Sequence, residues 1–301
     1  MNTIAKAVNM TGAVPSTTPF REGRFRGLST SGFHEIVYTD WGPLDAESTV
    51  VCLHGLTRQG RDFDRLAAAL AGRGHRVICP DLPGRGASQW LRHTMDYVFP
   101  QYCADMNALL ARLSGRISWV GTSLGGLVGM VLAGSAGSPI ERIVLNDIGP
   151  DVSSLAVARV GLRIGTMPVS FDSREHAEHY YRRAFATCGP MDDEQWRDFV
   201  SHSIQFDENV GRFRSRLDPK VAIAFSWLLY YRIPIWSYFK EIEARVMSVY
   251  GELSDFAPRS LIRDMLRWQP CLVTHEVTGV GHMPMLMSKP EIEAIAAFLS
   301  P

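Results

Sequence analysis

From residue 49 onward, short apolar runs alternate with segments of helical spacing. TVVCLHG (49–55), RVICPDLPG (76–84), ISWVGTS (117–123) and IERIVLNDIG (140–149) each open on such a run. Runs of this kind are expected of strands covered on both faces. Between them, FDRLAAALAGRG (63–74), DYVFPQYCADMNALLARLSG (96–115) and LGGLVGMVLAGSAG (124–137) read as helices, each running into glycine at its end. Leu109, Leu110 and Leu113 share one helical face. Residues 22–41 alternate around a Ser/Gly turn and predict an antiparallel hairpin. The first twenty residues read as a loose tail, with no apolar stretch long enough for a signal peptide.

The alternation stops at Pro150. SLAVARVGLRIG, REHAEHYYRRAFATCG, DDEQWRDFVSHSIQ and PKVAIAFSWLLYYR are helical patterns, and residues 151–240 hold no convincing buried strand. Strand and helix then resume with ARVMSVYGELSD, PRSLIRDMLRWQ, LVTHEVTGVG and a last helix. That helix opens on Ser288-Lys-Pro-Glu291, a capping box with proline in its first turn. The expectation is an α/β fold with a mostly parallel central sheet and helices on both faces. A tail over 1–21 precedes a core of 22–150 and 241–301, and a helical cap of 151–240 interrupts that core.

Composition narrows the classes. The 301 residues include 31 basic and 31 acidic side chains, so no charge excess points to nucleic acid or an anionic membrane surface. No segment reaches the ~18 apolar residues of a membrane span. Five cysteines without a CxxC or Cys/His cluster predict reduced, buried thiols, a cytoplasmic location and no metal site. No organic cofactor is implied, and the composition leaves a homodimer open.

The chemistry-bearing stretch is Gly121-Thr122-Ser123-Leu124-Gly125, a G-x-S-x-G placed between a buried strand and a helix. In that setting the turn presents Ser123 as a nucleophile. Gly121 and Gly125 supply the small neighbours that the turn needs, and the helix N-terminus brings free N–H groups to the hydroxyl. A serine needs a base, and the base needs an orienting acid. Of nine histidines, His282 in GVGHMP follows the last predicted strand and reaches the C-terminal edge of the sheet. His275 lies mid-strand, and His176, His179 and His202 lie in the inserted helices. Asp255 in YGELSDF follows the preceding strand and is the preferred acid; Asp147, after IVLN, is its rival. Asp81 is read as a turn-former. The oxyanion donors are expected to be the Leu124 N–H and, from the loop after the early strand, the Leu56 N–H, with His54 buttressing that loop.

LHGL (53–56), PDLPGRGAS (80–88), GTSLGG (121–126), GELSDF (251–256) and GVGHMP (279–284) together resemble the α/β-hydrolase superfamily. The resemblance runs from about residue 33 to the end and is closest to its capped esterase, lactonase and C–C hydrolase group. GLTRQGRDFD and VLNDIGP are similar to segments of bacterial proteins that cleave hydroxyalkanoate oligomers or small esters. The resemblance implies a serine hydrolase of small carboxylic esters working through an acyl-enzyme. Lactone opening, C–C hydrolysis and a receptor-like binding role are the alternatives. Ser123 stands where haloalkane dehalogenases and epoxide hydrolases of this fold place aspartate. For the substrate pocket, Arg58 is a candidate carboxylate receptor, and Trp227 and Tyr231 are candidate wall residues from the aromatic cap segment.

Overall fold

The computed structural model describes residues 19–228 and 235–300. The described part opens with the expected hairpin, β1 (Phe20–Ser29) and β2 (Gly32–Trp41), paired antiparallel from Phe20↔Trp41 to Ser29↔Gly32. The alternating unit follows as β3 (Ser48–Leu53), α1 (Asp64–Ala71), β4 (Arg76–Pro80), α2 (Phe99–Leu110), β5 (Arg116–Thr122), α3 (Leu124–Ala133) and β6 (Ile140–Asn146). Next come α4 (Ser154–Gly165), β7 (Ser170–Phe171), α5 (Arg174–Ala184), α6 (Asp193–Ser203), β8 (Ile204–Asp207), β9 (Arg212–Ser215), α7 (Pro219–Leu228) and α8 (Ile235–Lys240). The core closes with β10 (Arg245–Gly251), α9 (Arg259–Trp268), β11 (Val273–Val277) and α10 (Lys289–Leu299).

The main sheet has eight strands in the order β1-β2-β4-β3-β5-β6-β10-β11. β1 and β2 are antiparallel to their neighbours, and the other six run parallel. The unbroken apolar runs follow from cover on both faces. In β3, Val51 and Leu53 join one core and Val50 and Cys52 the other; in β5, Trp119 and Val120 divide the same way. The first core includes Met106, Val128, Phe239 and Met265 from α2, α3, α8 and α9, while the second includes Leu66 and Leu70 from α1 and Ile295 from α10. Because alternate side chains point to opposite faces, neither face of these strands is free to be polar. The capping box at Ser288 and Glu291 forms as the motif predicts.

Two expectations need correction. The segment between β6 and β10 is not wholly helical: β7, β9 and β8 form a small antiparallel sheet. These strands are two to four residues long, too short to carry a readable period, and Ile204-Gln205 leave the helical pattern to begin β8. The thiols are all free, but Cys271 is exposed and Cys103 partly so; Cys52, Cys79 and Cys188 are buried. Among the described residues, no helix is long and apolar enough to cross a membrane, and no cluster of three His, Cys, Asp or Glu side chains is placed to hold a metal.

Candidate active site

Ser123 occupies the turn between β5 and α3 with φ 49° and ψ −113°. A non-glycine residue at positive φ is strained unless its surroundings over-determine it. Here the surroundings are backbone. Ser123 N–H donates to Asn146 O at 3.0 Å, and its carbonyl accepts from Gly126 and Leu127. A Cβ on Gly125 would lie 2.0 Å from Leu53 O, and one on Gly121 would lie 2.4 Å from Gly125 O. Both glycines are therefore required by close backbone approach on either side of the serine.

Asp147 immediately follows β6. Its φ is 55°, a left-handed conformation that aspartate tolerates better than most residues. Its N–H donates to Val249 O at 2.7 Å, which tucks the fully buried carboxylate beneath the end of β10. There Oδ1 accepts from Gly251 N at 2.9 Å, and Oδ2 accepts from Ser254 Oγ at 2.7 Å. His282 Nδ1 lies 2.7 Å from the same Oδ2. The carboxylate thus fixes Nδ1 as the protonated nitrogen and leaves Nε2 as the basic one. The imidazole also stacks on Phe256, with ring centroids 3.8 Å apart.

The preferred acid of the sequence reading does not reach the imidazole. Asp255 instead pairs with Arg159 of α4, and its side chain is 35% exposed. The cause is local. Ser254 N–H bonds Gly251 O, a tight turn that sends Ser254 inward to Asp147 and Asp255 outward. Because β6 and β10 are parallel neighbours, with Val249 opposite Asn146, both acids follow strands that end at the same edge. The rival, Asp147, takes the position.

Ser123, Leu124, Leu56, His282 and Met283 share a cavity of about 670 Å³ between the sheet edge and the inserted segment. Leu124 opens α3, so its N–H has no intrahelical acceptor, and among the described residues neither its N–H nor that of Leu56 is paired. The Leu56 loop is held rigidly. Gly55 O accepts from Arg58 N–H at 3.1 Å and lies 2.7 Å from His54 Nδ1, while Arg85 Nε donates to Leu56 O at 2.9 Å. His54 Nε2 accepts from Leu82 N–H at 2.9 Å, so this ring is a neutral strut.

That strut makes stability depend on pH. Burial pushes the imidazoles of His54 and His202 down to about 3 from 6.5, and it pushes the Asp81 carboxyl up to about 6 from 3.8. A lowered imidazole contributes stability that is complete above pH 6.5 and is lost as pH falls towards 3, because the unfolded ring takes up a proton that the folded ring refuses. Asp81 has the opposite sign, its contribution fading as pH rises through 6. Relative to wild type, His54→Asn should therefore lose less of its urea midpoint between about pH 7 and about pH 5. An unchanged slope in the variant would show that the ring is not held neutral.

Arg58 is not available as a carboxylate receptor. It is buried, grips Asp62 through Nε at 2.7 Å and Nη2 at 2.5 Å, and donates to Ser203 Oγ at 2.9 Å. Its guanidinium lies 3.5 Å from the Phe199 ring centroid, so it ties the Leu56 loop to α6. Tyr231 and the Trp227 side chain lie outside the described residues. The aromatic walls that are described are Phe99, Phe185, Phe225, Trp236 and Phe256. Sequence reasoning missed Ser254 and Phe256 as partners of the Asp147–His282 pair, although both lie in GELSDF.

A profile of the alpha/beta hydrolase family matches residues 50–296. This chain belongs to the α/β-hydrolase family. It is 36% identical over 289 residues to a 3-hydroxybutyrate-oligomer hydrolase of Cupriavidus necator, covering 93% of this chain and 98% of the relative. A crystal structure of an α/β-hydrolase from Novosphingobium aromaticivorans superposes with a TM-score of 0.82 at 30% identity, covering 93% and 98% of the two chains. An esterase of Mycobacterium tuberculosis shares the fold, with a TM-score of 0.71 at 23% identity over 93% and 92%. The mostly parallel sheet and flanking helices of this α/β-hydrolase agree with the fold expected from its sequence.

Proposed function

We propose that this α/β-hydrolase cleaves small carboxylic esters, with hydroxyalkanoate-type esters or oligomers as its substrate class. One observation carries the reading: a buried carboxylate holds His282 Nδ1 at 2.7 Å, in a cavity that the strained Ser123 also lines. Ser123 Oγ attacks the ester carbonyl while His282 Nε2 takes its proton. Asp147 keeps the ring in that tautomer and stabilises the imidazolium. The Leu124 and Leu56 N–H groups receive the oxyanion. His282 then gives the proton to the leaving alcohol, and a water activated by the same ring frees the acid. The likeness to the hydroxybutyrate-oligomer hydrolase over nearly both full chains supports the substrate class. So do the apolar walls around a few polar groups.

The test sets p-nitrophenyl butyrate and a 3-hydroxybutyrate dimer beside a γ-lactone and a vinylogous diketone acid. Ester turnover should exceed both of the others by at least about a hundredfold, and a fluorophosphonate should label Ser123 with loss of that turnover. Preferred C–C or lactone cleavage would replace the ester assignment. Labelling with no hydrolysis of any compound would favour a binding role.

A further inference from the structure

Among the described residues, the arginines that line the cavity are Arg58 and Arg163. Arg58 is committed to Asp62 and Ser203. Arg163 is not. It stands in the last turn of α4, half-buried, with its guanidinium carbon 5.2 Å from the Phe185 ring centroid. One helical turn earlier, Arg159 takes Asp255, but among the described residues Arg163 has no carboxylate partner. A cation against an aromatic wall, partly removed from water and without a counter-ion, is poised for an anion supplied by the ligand.

The side of the cavity identifies which half of the ester carries that anion. Cys188 lines the same wall, and its Sγ donates to the His282 carbonyl at 3.4 Å. Cys188 N–H also donates to the carbonyl of Phe185 at 3.0 Å, and Arg163 packs on the Phe185 ring, so arginine, thiol and histidine lie along one stretch of wall. His282 must pass its proton to the leaving alcohol, so the alcohol half lies on the His282 side.

We infer that Arg163 receives a free carboxylate on the alcohol half of the substrate, so that the preferred esters are those whose leaving group is a hydroxyacid. This rests on the ester-hydrolase reading above. In the acylation step the Ser123 Oγ–carbonyl bond forms and the acyl–oxygen bond breaks. The serine proton passes through His282 to the departing alkoxide, and the hydroxyacid leaves with its carboxylate ionised throughout. Water then splits the acyl-enzyme. On an oligomer, this cleavage removes the carboxyl-terminal unit.

The experiment compares kcat/KM for the 3-hydroxybutyrate dimer as free acid and as its methyl ester. The wild type should favour the free acid by about 10- to 100-fold, the range of a charge-assisted contact to an ionised group. Arg163→Gln should bring that ratio close to one, and Arg163→Lys should keep part of it. A ratio within one preparation is indifferent to the fraction of enzyme that folds. If Arg163→Gln keeps the wild-type ratio, or if the wild type treats both dimers alike, the Arg163 assignment falls while the ester reading stands. If the wild type cleaves neither dimer nor p-nitrophenyl butyrate, the ester reading itself falls.

Discussion

Asp147→Asn should lower kcat on p-nitrophenyl butyrate by about 10⁴-fold, while Asp255→Asn should stay within about threefold of wild type. The asymmetry follows from where the two carboxylates lie. Asp147 is fully buried and shares Oδ2 between His282 Nδ1 and Ser254 Oγ, each at 2.7 Å. Asparagine fits the same left-handed backbone, so the fold is preserved. Its amide offers His282 an N–H where an acceptor stood, or an oxygen that carries no charge to balance an imidazolium. Either outcome favours the wrong tautomer or leaves the developing cation unsupported. Asp255 meets only an exposed arginine, and exposed pairs contribute little. Steady-state kinetics on the two variants decides the matter. Comparable losses, or a larger loss at Asp255, would mean that the orienting acid has been misassigned.

The second large effect concerns Ser123 and His282 together. Ser123→Ala should reduce kcat by about 10⁶-fold, and Ser123→Ala/His282→Ala should cost no more than that. The base has nothing to deprotonate once the hydroxyl is gone, so the two losses cannot add. The residue of activity should reflect binding and the proposed oxyanion donors, the Leu56 and Leu124 N–H groups. Thermal midpoints of the single variant should stay near wild type, since alanine keeps the helix-entry backbone bonds of residue 123. Additive losses in the double variant would mean that the two side chains act in separate steps.

Much of the frame is legible in the amino-acid sequence. The strand runs are apolar on both faces because helices cover both faces, and that composition cannot be hidden in a sequence. The turn at Ser123 was legible because backbone approach admits only glycine at 121 and 125. His282 was legible from its place just after a strand. The choice between Asp147 and Asp255 was not. Two neighbouring parallel strands end on an acid at the same edge, and only the tight turn at Gly251–Ser254 decides which one faces in. Arg58 misled for a different reason. Its main partner, Asp62, lies only four residues on, and what the local pattern does not show is that α6, through Phe199 and Ser203, closes over the pair. Strands β7 to β9 are too short to show a period.

The inward turn of Ser254 has a bearing on ancestry. Its hydroxyl, in the loop after β10, sits 2.7 Å from the oxygen that steadies the imidazole, whereas Asp147 follows β6. The scaffold thus offers two seats for one carboxylate, and a lineage could relocate its acid by exchanging residues at the two positions while the histidine stayed put. Asp147→Asn/Ser254→Asp enacts that migration in the laboratory. Recovery of turnover above Asp147→Asn alone would show the seats to be interchangeable, and no recovery would show that inheritance is tied to β6.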